Sequence, residues 1–478
     1  MRFSEFPFLS MAGGLLLTLS FPKVAFYPLA FWALVPALLE AAEKGFRRAF
    51  LAGLFLGLVH FATLLYWLVS VMVRFGGFPW LAALSVHFLL AFYLALYPAL
   101  TFGFSEILGF LRAPSLLHGI GFALLWVLFE TLRGYLFTGF PWEPLGGALA
   151  PNPYLLQLAA HLGTHFLSFM LAFLNYAFFA VAKSGKRSLR ILILAVLLIL
   201  LDLLYGFLVV PKGMSSFPFK VALVQGNIPQ DIKWQKGNEI QSLEKYLKLS
   251  RQALGCYPDL IVWPETAMPF FFPLDPLSRK LISGVKDLGV PVLFGAPRVE
   301  KEGGRYVMKN SLVALSPEGK IFGVYDKEHL VPFGEYVPFE RHFPWLRNLA
   351  VASGNYEPGR GSGVIEVAGK KLGVLICFEN VFPELSRKRV SAGAEVLLVV
   401  TNDAWFGESA ALPQHFYQSV LRAVETRRYV IQVSNTGLSG IIDPYGRVIL
   451  LGPINREWVG CFPDNFCPRP DNFCPKRN

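Results

Sequence analysis

Seven apolar runs crowd the first 210 residues, at about 6–21, 24–42, 49–73, 78–107, 116–137, 154–182 and 190–210. A helix needs roughly 17–25 apolar residues to cross the hydrocarbon of a bilayer, so each run is near or above spanning length. In hydrocarbon a helix satisfies its own backbone hydrogen bonds, which makes it the natural form for such runs. The first run is short and has the look of a signal peptide. No A-x-A-like cleavage site follows it, however, and a second run starts at once, so it is read as a span. The run at 78–107 is longer than needed and implies tilt, or extension beyond the bilayer.

Charge divides the chain at the same place. Residues 1–214 hold 20 charged side chains and residues 215–478 hold 57. The first part has membrane composition and the second has globular composition, which excludes disorder and collagen-like repetition. A net charge of +11 invites a nucleic-acid partner, but the second part has 31 basic and 26 acidic residues without a basic stripe. In the first part the basic residues sit between apolar runs. Lys44, Arg47 and Arg48 follow the second run, Arg112 the fourth, and Lys183, Lys186, Arg187 and Arg190 the sixth. Such loops face the cytoplasm. An odd number of spans then sends everything after Val210 to the outer side.

Several polar residues interrupt the runs. Glu130 and Arg133, three apart in FETLRG, are expected to form an internal pair that fixes helix packing, with substrate contact as the other reading. His161 and His165 share a helix face, a weak metal signal better read as packing. GFPWEPLGG (139–147) reads as an outward aromatic loop that anchors at the interface or shapes a lipid entrance.

From Phe219 the pattern becomes short β-branched runs alternating with amphipathic stretches. FKVALVQGNI, LIVWPE, VPVLFG, NSLVALS, KIFGVYD, KKLGVLIC, EVLLVVTND, YVIQVSN and SGIIDPYG read as strands, with helices at 241–253 and near 413–427. Strands interleaved with helices predict a layered α/β domain over 215–460. Three ionisable residues end apolar strands or lie just beyond them: Glu265, Lys327 and Cys377. A thiol at a strand-to-helix turn is placed to become a thiolate, because helix N-termini and cations lower its pKa. A carboxylate can take its proton, and a lysine can stabilise an oxyanion. Together they suit acyl transfer through a thioester. Strand-end Glu and Lys are also common as solvated residues, and a buried Cys is usually inert. Chemistry alone favours the structural reading.

The surrounding words add to this. IVWPETAMP around Glu265, YDKEHLVPFGEYVP around Lys327 and LICFEN around Cys377 resemble the nitrilase (carbon–nitrogen hydrolase) superfamily. With several spans in front, and with FETLRG, GFPW, VQGNIPQDIKW and TNDAWFG, the chain resembles the apolipoprotein N-acyltransferase family over most of residues 1–450. The resemblance implies a polytopic α-helical membrane domain at 1–214 and a nitrilase-like α-β-β-α sandwich. It implies that Cys377 is the nucleophile, Glu265 the base and Lys327 the oxyanion stabiliser. Glu335 and Glu379 are implied as supporting residues, and Trp234, Asn310 and Trp405 as the frame of the substrate pocket. It further implies a phospholipid acyl donor, diacylglyceryl apolipoprotein acceptors, no metal or redox cofactor, and a bacterial inner membrane with the catalytic domain periplasmic.

Two features depart from the family. Phe378 follows the nucleophile where tyrosine is frequent, and no apolar run of about 20 residues follows Leu451, where members return to the membrane. The end, 461–478, with its DNFCP repeat, reads as a disordered tail. Five cysteines show neither a disulfide framework nor metal-ligand spacing. The segment 329–346, rich in aromatics and prolines, is expected to form a lid at the interface. Rival functions are a membrane-tethered amidase and, from another class, a transporter or lipid-binding protein. A transporter predicts inverted repeats, which the spans do not show.

Overall fold

The computed structural model describes residues 7–213, 217–235, 237–338, 340, 342–343 and 355–463. The chain forms two compact units, Met1–Lys212 with Ser409–Glu425, and Gly213–Glu408 with Thr426–Asn478.

The first unit is helical. Among the described residues, four stretches are long and apolar enough to cross a membrane: Gly45–Leu64, Trp80–Ile107, Leu116–Arg133 and Thr164–Val209. The last is two helices, Thr164–Ser184 and Leu189–Val209, parted at Gly185, whose φ is 58°. Proline breaks the run expected at 24–42 into a short 3-10 turn, Tyr27–Phe31, and a seven-residue helix, Val35–Ala41. Each piece has proline in its first turn, where the missing N–H costs nothing, and that position restarts a helix rather than continuing one. The run expected at 49–73 is likewise two helices, Gly45–Leu64 and Trp67–Arg74. Gly45–Leu64 lies against Trp80–Ile107 through Gly53 and Gly57, where a Cβ would come within 2.4 Å of the Pro98 carbonyl oxygen and 2.6 Å of the Pro98 ring. Small residues let two helices approach this closely when no water drives them together.

One helix of this unit comes from far along the chain. Ala411–Thr426, expected within one continuous 215–460 domain, packs instead with the first unit as far as Glu425. Gln414 explains the attachment. Its Oε1 accepts from the indole N–H of Trp142 at 3.0 Å and of Trp67 at 3.2 Å. Its Nε2 donates to the carbonyls of Pro22 at 2.9 Å and Leu64 at 3.3 Å. A buried amide with both ends engaged is a fastener, since leaving such groups unpaired costs about 1–3 kcal/mol each.

The second unit is a two-sheet sandwich. The first sheet runs in the order β12 (Trp458–Phe462), β1 (Val221–Gln225), β2 (Leu260–Val262), β3 (Val292–Glu302), β4 (Arg305–Leu315) and β5 (Ile321–Asp326). The second runs β11 (Val448–Leu451), β10 (Gly440–Ile442), β9 (Tyr429–Ser434), β8 (Val396–Thr401), β7 (Lys370–Ile376) and β6 (Val364–Val367). In each sheet three central strands are parallel, β1-β2-β3 and β7-β8-β9. Period-2 alternation assigns the layers. Val221, Leu223, Leu260, Val262 and Leu293 point inward to meet Leu372, Val374, Ile376, Leu398 and Ile431 of the second sheet. Ala222, Val224, Ile261, Phe294 and Ala296 point outward, onto Leu243, Tyr246 and Leu247 of the helix Asn238–Ala253 and Leu281 and Val285 of Leu277–Leu288. Strands buried on both faces read as unbroken apolar runs for this reason. Each such side chain contributes about 1.5–3 kcal/mol.

The closing strand β12 corrects two expectations. Cys461 and Phe462 are not tail: they pair antiparallel with Ala222 and Val221. Cys461 is also disulfide-bonded to Cys256, with 6.4 Å between Cα atoms, so two of the five cysteines do form a pair. The DNFCP repeat lies outside the described residues.

Candidate active site

Parallel strands of a layered domain carry their functional groups at their carboxyl ends, where loops leave the sheet. Here Glu265 lies three residues past β2, Cys377 directly follows β7, and Asn402 directly follows β8. Lys327 directly follows β5. The turn bearing Glu265 is pressed against β3. A Cβ at Gly295 would stand 2.3 Å from the Thr266 nitrogen and 2.6 Å from the Glu265 Cα, so only glycine lets the strand pass. Cys377 has a φ of 52°, an αL-side conformation unfavourable for a residue with a side chain. Strain of this kind gathers at functional sites.

The charged groups are buried and mutually bonded. Lys327 Nζ lies 2.8 Å from Glu335 Oε2 and 3.6 Å from Glu265 Oε1. Asn310 spans both glutamates, donating through Nδ2 to Glu265 Oε1 at 2.8 Å and to Glu335 Oε1 at 2.7 Å. Glu265 Oε2 accepts the backbone N–H of Asn402 at 3.0 Å, and Glu335 Oε2 accepts that of Val331 at 2.8 Å. Burial alone would lower the Lys327 pKa. Glu335 first, then Glu265 and Cys377, outweigh burial and hold its pKa above the ordinary lysine range. Lys327 is therefore a fixed cation.

Cys377 behaves otherwise than the turn position suggests. Burial pushes its thiol well above the ordinary range, and Glu265 and Asp403 push the same way. Only Lys327 and a hydrogen bond with Thr401 oppose them. The helical element that starts at Cys377 is a five-residue 3-10 turn, Cys377–Val381, too short to offset this. At rest Cys377 is a thiol, and a base is needed to ionise it.

Glu379 is fully buried and works from behind. Its Oε1 accepts from the Tyr325 hydroxyl at 2.7 Å, Glu328 N–H at 2.7 Å and His329 N–H at 3.0 Å. Its Oε2 accepts the N–H of Ile376, next to the nucleophile, at 2.7 Å. One carboxylate thus ties the Lys327 loop to the Cys377 elbow. Arg389 braces the same hydroxyl at 2.6 Å and pairs with Glu328 at 3.1 Å.

The remaining expected residues fare unequally. Asn310 bridges the carboxylates of Glu265 and Glu335. Trp234 is about half exposed, and Trp405 sits in the 3-10 turn Ala404–Phe406. Of the lid segment, 329–338 is described and carries Glu335, whereas Trp345 lies outside the described residues. Phe378 packs edge-on to Phe382 with ring centroids 5.2 Å apart. In the helical unit, Glu130 and Arg133 do not pair with each other. Arg133 donates to the Trp142 carbonyl at 3.0 Å, and Glu130 accepts the Leu145 N–H at 2.7 Å. Both hold the 139–147 loop, whose Trp142, Glu143 and Leu145 are buried rather than spread at an interface. His161 bonds the Tyr205 hydroxyl at 2.7 Å, and no cluster of three metal-ligating residues occurs among the described residues. Sequence reading overlooked Asn402, whose backbone N–H meets the base, and Lys233 behind it. Their signal was faint: polar residues inside the words TNDAWFG and IPQDIKW.

A strained cysteine at the carboxyl end of β7 in one sheet, within electrostatic reach of a glutamate–lysine pair carried by the other, defines a carbon–nitrogen hydrolase type of catalytic domain. The carbon–nitrogen hydrolase family matches residues 220–458, and the apolipoprotein N-acyltransferase N-terminal domain matches residues 13–177. Among curated relatives, apolipoprotein N-acyltransferase of Geobacter metallireducens is 40% identical over 461 residues, covering 94% of this chain and 88% of the relative. The Methylococcus capsulatus protein of the same name is 33% identical, covering 93% and 87%. That of Allorhizobium ampelinum is 35% identical, covering 94% and 88%. The chain belongs to the apolipoprotein N-acyltransferase family.

Proposed function

We propose that this acyltransferase moves an acyl chain from a membrane phospholipid to the α-amine of diacylglyceryl-cysteine at a lipoprotein N-terminus, through a thioester on Cys377. The observation that carries the mechanism is the pairing of a half-buried thiol, held above its ordinary pKa, with a fixed ammonium and a hydrogen-bonded carboxylate. Glu265 takes the thiol proton as sulfur attacks the ester carbonyl, and the Lys327 charge offsets the oxyanion. The carbon–oxygen bond breaks, and the departing lysophospholipid oxygen takes the proton back from Glu265. In the second half the amine attacks the thioester, Glu265 removes its extra proton, and the thiolate leaves and is reprotonated.

Incubation with phospholipid alone should leave the protein heavier by one acyl group, as an adduct labile to neutral hydroxylamine. Cys377→Ser should lose the adduct or form it very slowly. An adduct that survives in Cys377→Ala would sink this reading.

On this reading the catalytic unit lies outside the cytoplasm of a bacterial inner membrane. The alternation of basic loops supports this orientation. So does the Cys256–Cys461 disulfide, since such bonds persist in oxidising compartments. A cysteine introduced as Lys301→Cys should be labelled from outside only, and one introduced as Ser184→Cys from the cytoplasm only.

A further inference from the structure

Behind Glu265 lies a second buried lysine that this mechanism leaves unused. Lys233 ends the short turn Gln230–Lys233 after β1, and its side chain is wholly removed from solvent. Nζ donates to Thr266 Oγ1 at 2.9 Å and to Asn402 Oδ1 at 3.1 Å. Among the described residues no carboxylate lies within ion-pair distance of it. A buried ammonium without a counter-ion is costly, so its retention needs a reason beyond stability.

Its partners supply that reason. Thr266 is the residue after the base and sits at a positive φ of 46°. Asn402 gives its backbone N–H to Glu265 Oε2. The Asn402 side chain is pinned on every side: by Lys233, by Asn435 Nδ2 at 3.0 Å, and by its own Nδ2 donating to Gln230 Oε1 at 2.6 Å. Lys233 therefore joins the two loops that hold the base, one bearing it and the other bonding it.

We propose that Lys233 is a positioning residue for acylation, clamping Thr266 and Asn402 so that the Glu265 carboxylate stays oriented toward its proton-transfer partners. The inference rests on the thioester reading. Burial brings Lys233 down to about 7, with Glu265 the charge that opposes it. The clamp thus changes charge near neutrality, and the ammonium holds its two acceptors more tightly than the neutral amine does, which gives the rate a limb near pH 7. The titratable groups around it are Glu265 after β2, Asp403 beside Asn402 after β8, and Tyr246 of the Asn238–Ala253 helix, which reaches the cluster through Asn435. Asp231 of its own turn is exposed.

The test is the rate of hydroxylamine-labile adduct formation from phospholipid micelles, measured from pH 5.5 to 9. Lys233→Met should slow adduct formation by about 10–100-fold, as expected when a reacting group is misplaced by a fraction of an ångström. It should also erase the limb near pH 7 in the wild-type profile. Lys233→Gln, which keeps a donor without the charge, should recover part of the rate and none of the limb. Folded Lys233→Met with the wild-type rate and profile would overturn the inference while leaving the thioester intact. If Lys233→Met does not fold, Thr266→Val and Asn402→Ala carry the test, since each keeps the lysine and cuts one of its bonds. Wild-type rates and profiles in both would overturn the inference too. A wild-type protein that forms no adduct removes the thioester reading, and this inference with it.

Discussion

The buried polar groups around Glu265 and those around Glu130, Arg133 and Gln414 in the helical unit are wired differently. Around Glu265 the ionisable side chains bond one another: Lys327 to two carboxylates, and Asn310 to the same two. In the helical unit the polar side chains bond mostly backbone. Arg133 takes the carbonyl of Trp142, Glu130 the N–H of Leu145, and Gln414 the carbonyls of Pro22 and Leu64. A network of side chains that share charge can pass a proton without rearranging. A network that terminates on backbone can only hold the chain in place. The difference separates chemistry from fastening inside one membrane enzyme.

The largest effect is expected where the sharing is cut. Lys327→Ala should slow both half-reactions by about 10²–10³-fold, because each passes through an oxyanion that loses its stabiliser. Single-turnover rates with phospholipid and then with a model lipopeptide measure the two halves separately. A loss confined to one half would break the symmetry assumed for the cluster.

Gln414→Leu probes the fastening side. It deprives the Trp142 indole and the Pro22 carbonyl of their partners and should cost about 2–4 kcal/mol of stability. Thermal unfolding in detergent should drop, while acyl-enzyme formation per folded molecule stays near wild type. Lost adduct with unchanged unfolding would erase the distinction.

A smaller effect sits beside the catalytic cluster. Burial first, then Lys327, lowers His329 from 6.5 to about 4. As pH falls from 6.5 toward 4 the unfolded chain takes the proton before the folded one, so stability is lost on acidification and is fully present above 6.5. The loss amounts to at most roughly 3 kcal/mol at 1.36 kcal/mol per pH unit of difference. His329→Phe, set among Phe378 and Phe382, should flatten the stability profile between pH 4 and 6.5. An unchanged slope there would assign the acid sensitivity to other groups.

Much of the site was legible because its signals are local. A strand buried on both faces shows as an apolar run, and the residue that ends it is marked by the sudden change of character. Glu265, Lys327 and Cys377 stand out as strand-end residues in this way, and their expected roles came from the resemblance of the words around them. Asn402 and Lys233 do not, because a backbone N–H and a lysine in a four-residue turn carry no pattern. They matter only through what the fold brings beside them.

The amino-acid sequence by itself determined the division into an apolar helical part and an α/β part, and most of the strands. All of these follow from periodicity, composition and short motifs, which are properties of neighbours along the chain. Tertiary structure alone decided the rest. It drew the helix from Ala411 as far as Glu425 into the helical unit, through Gln414 and Glu425 among others, and it closed the first sheet with β12 under a Cys256–Cys461 bridge that spans 205 residues. It also kept the Cys377 proton on sulfur, because burial and the charges of Glu265 and Asp403 reach the thiol through space, from loops that no local pattern connects.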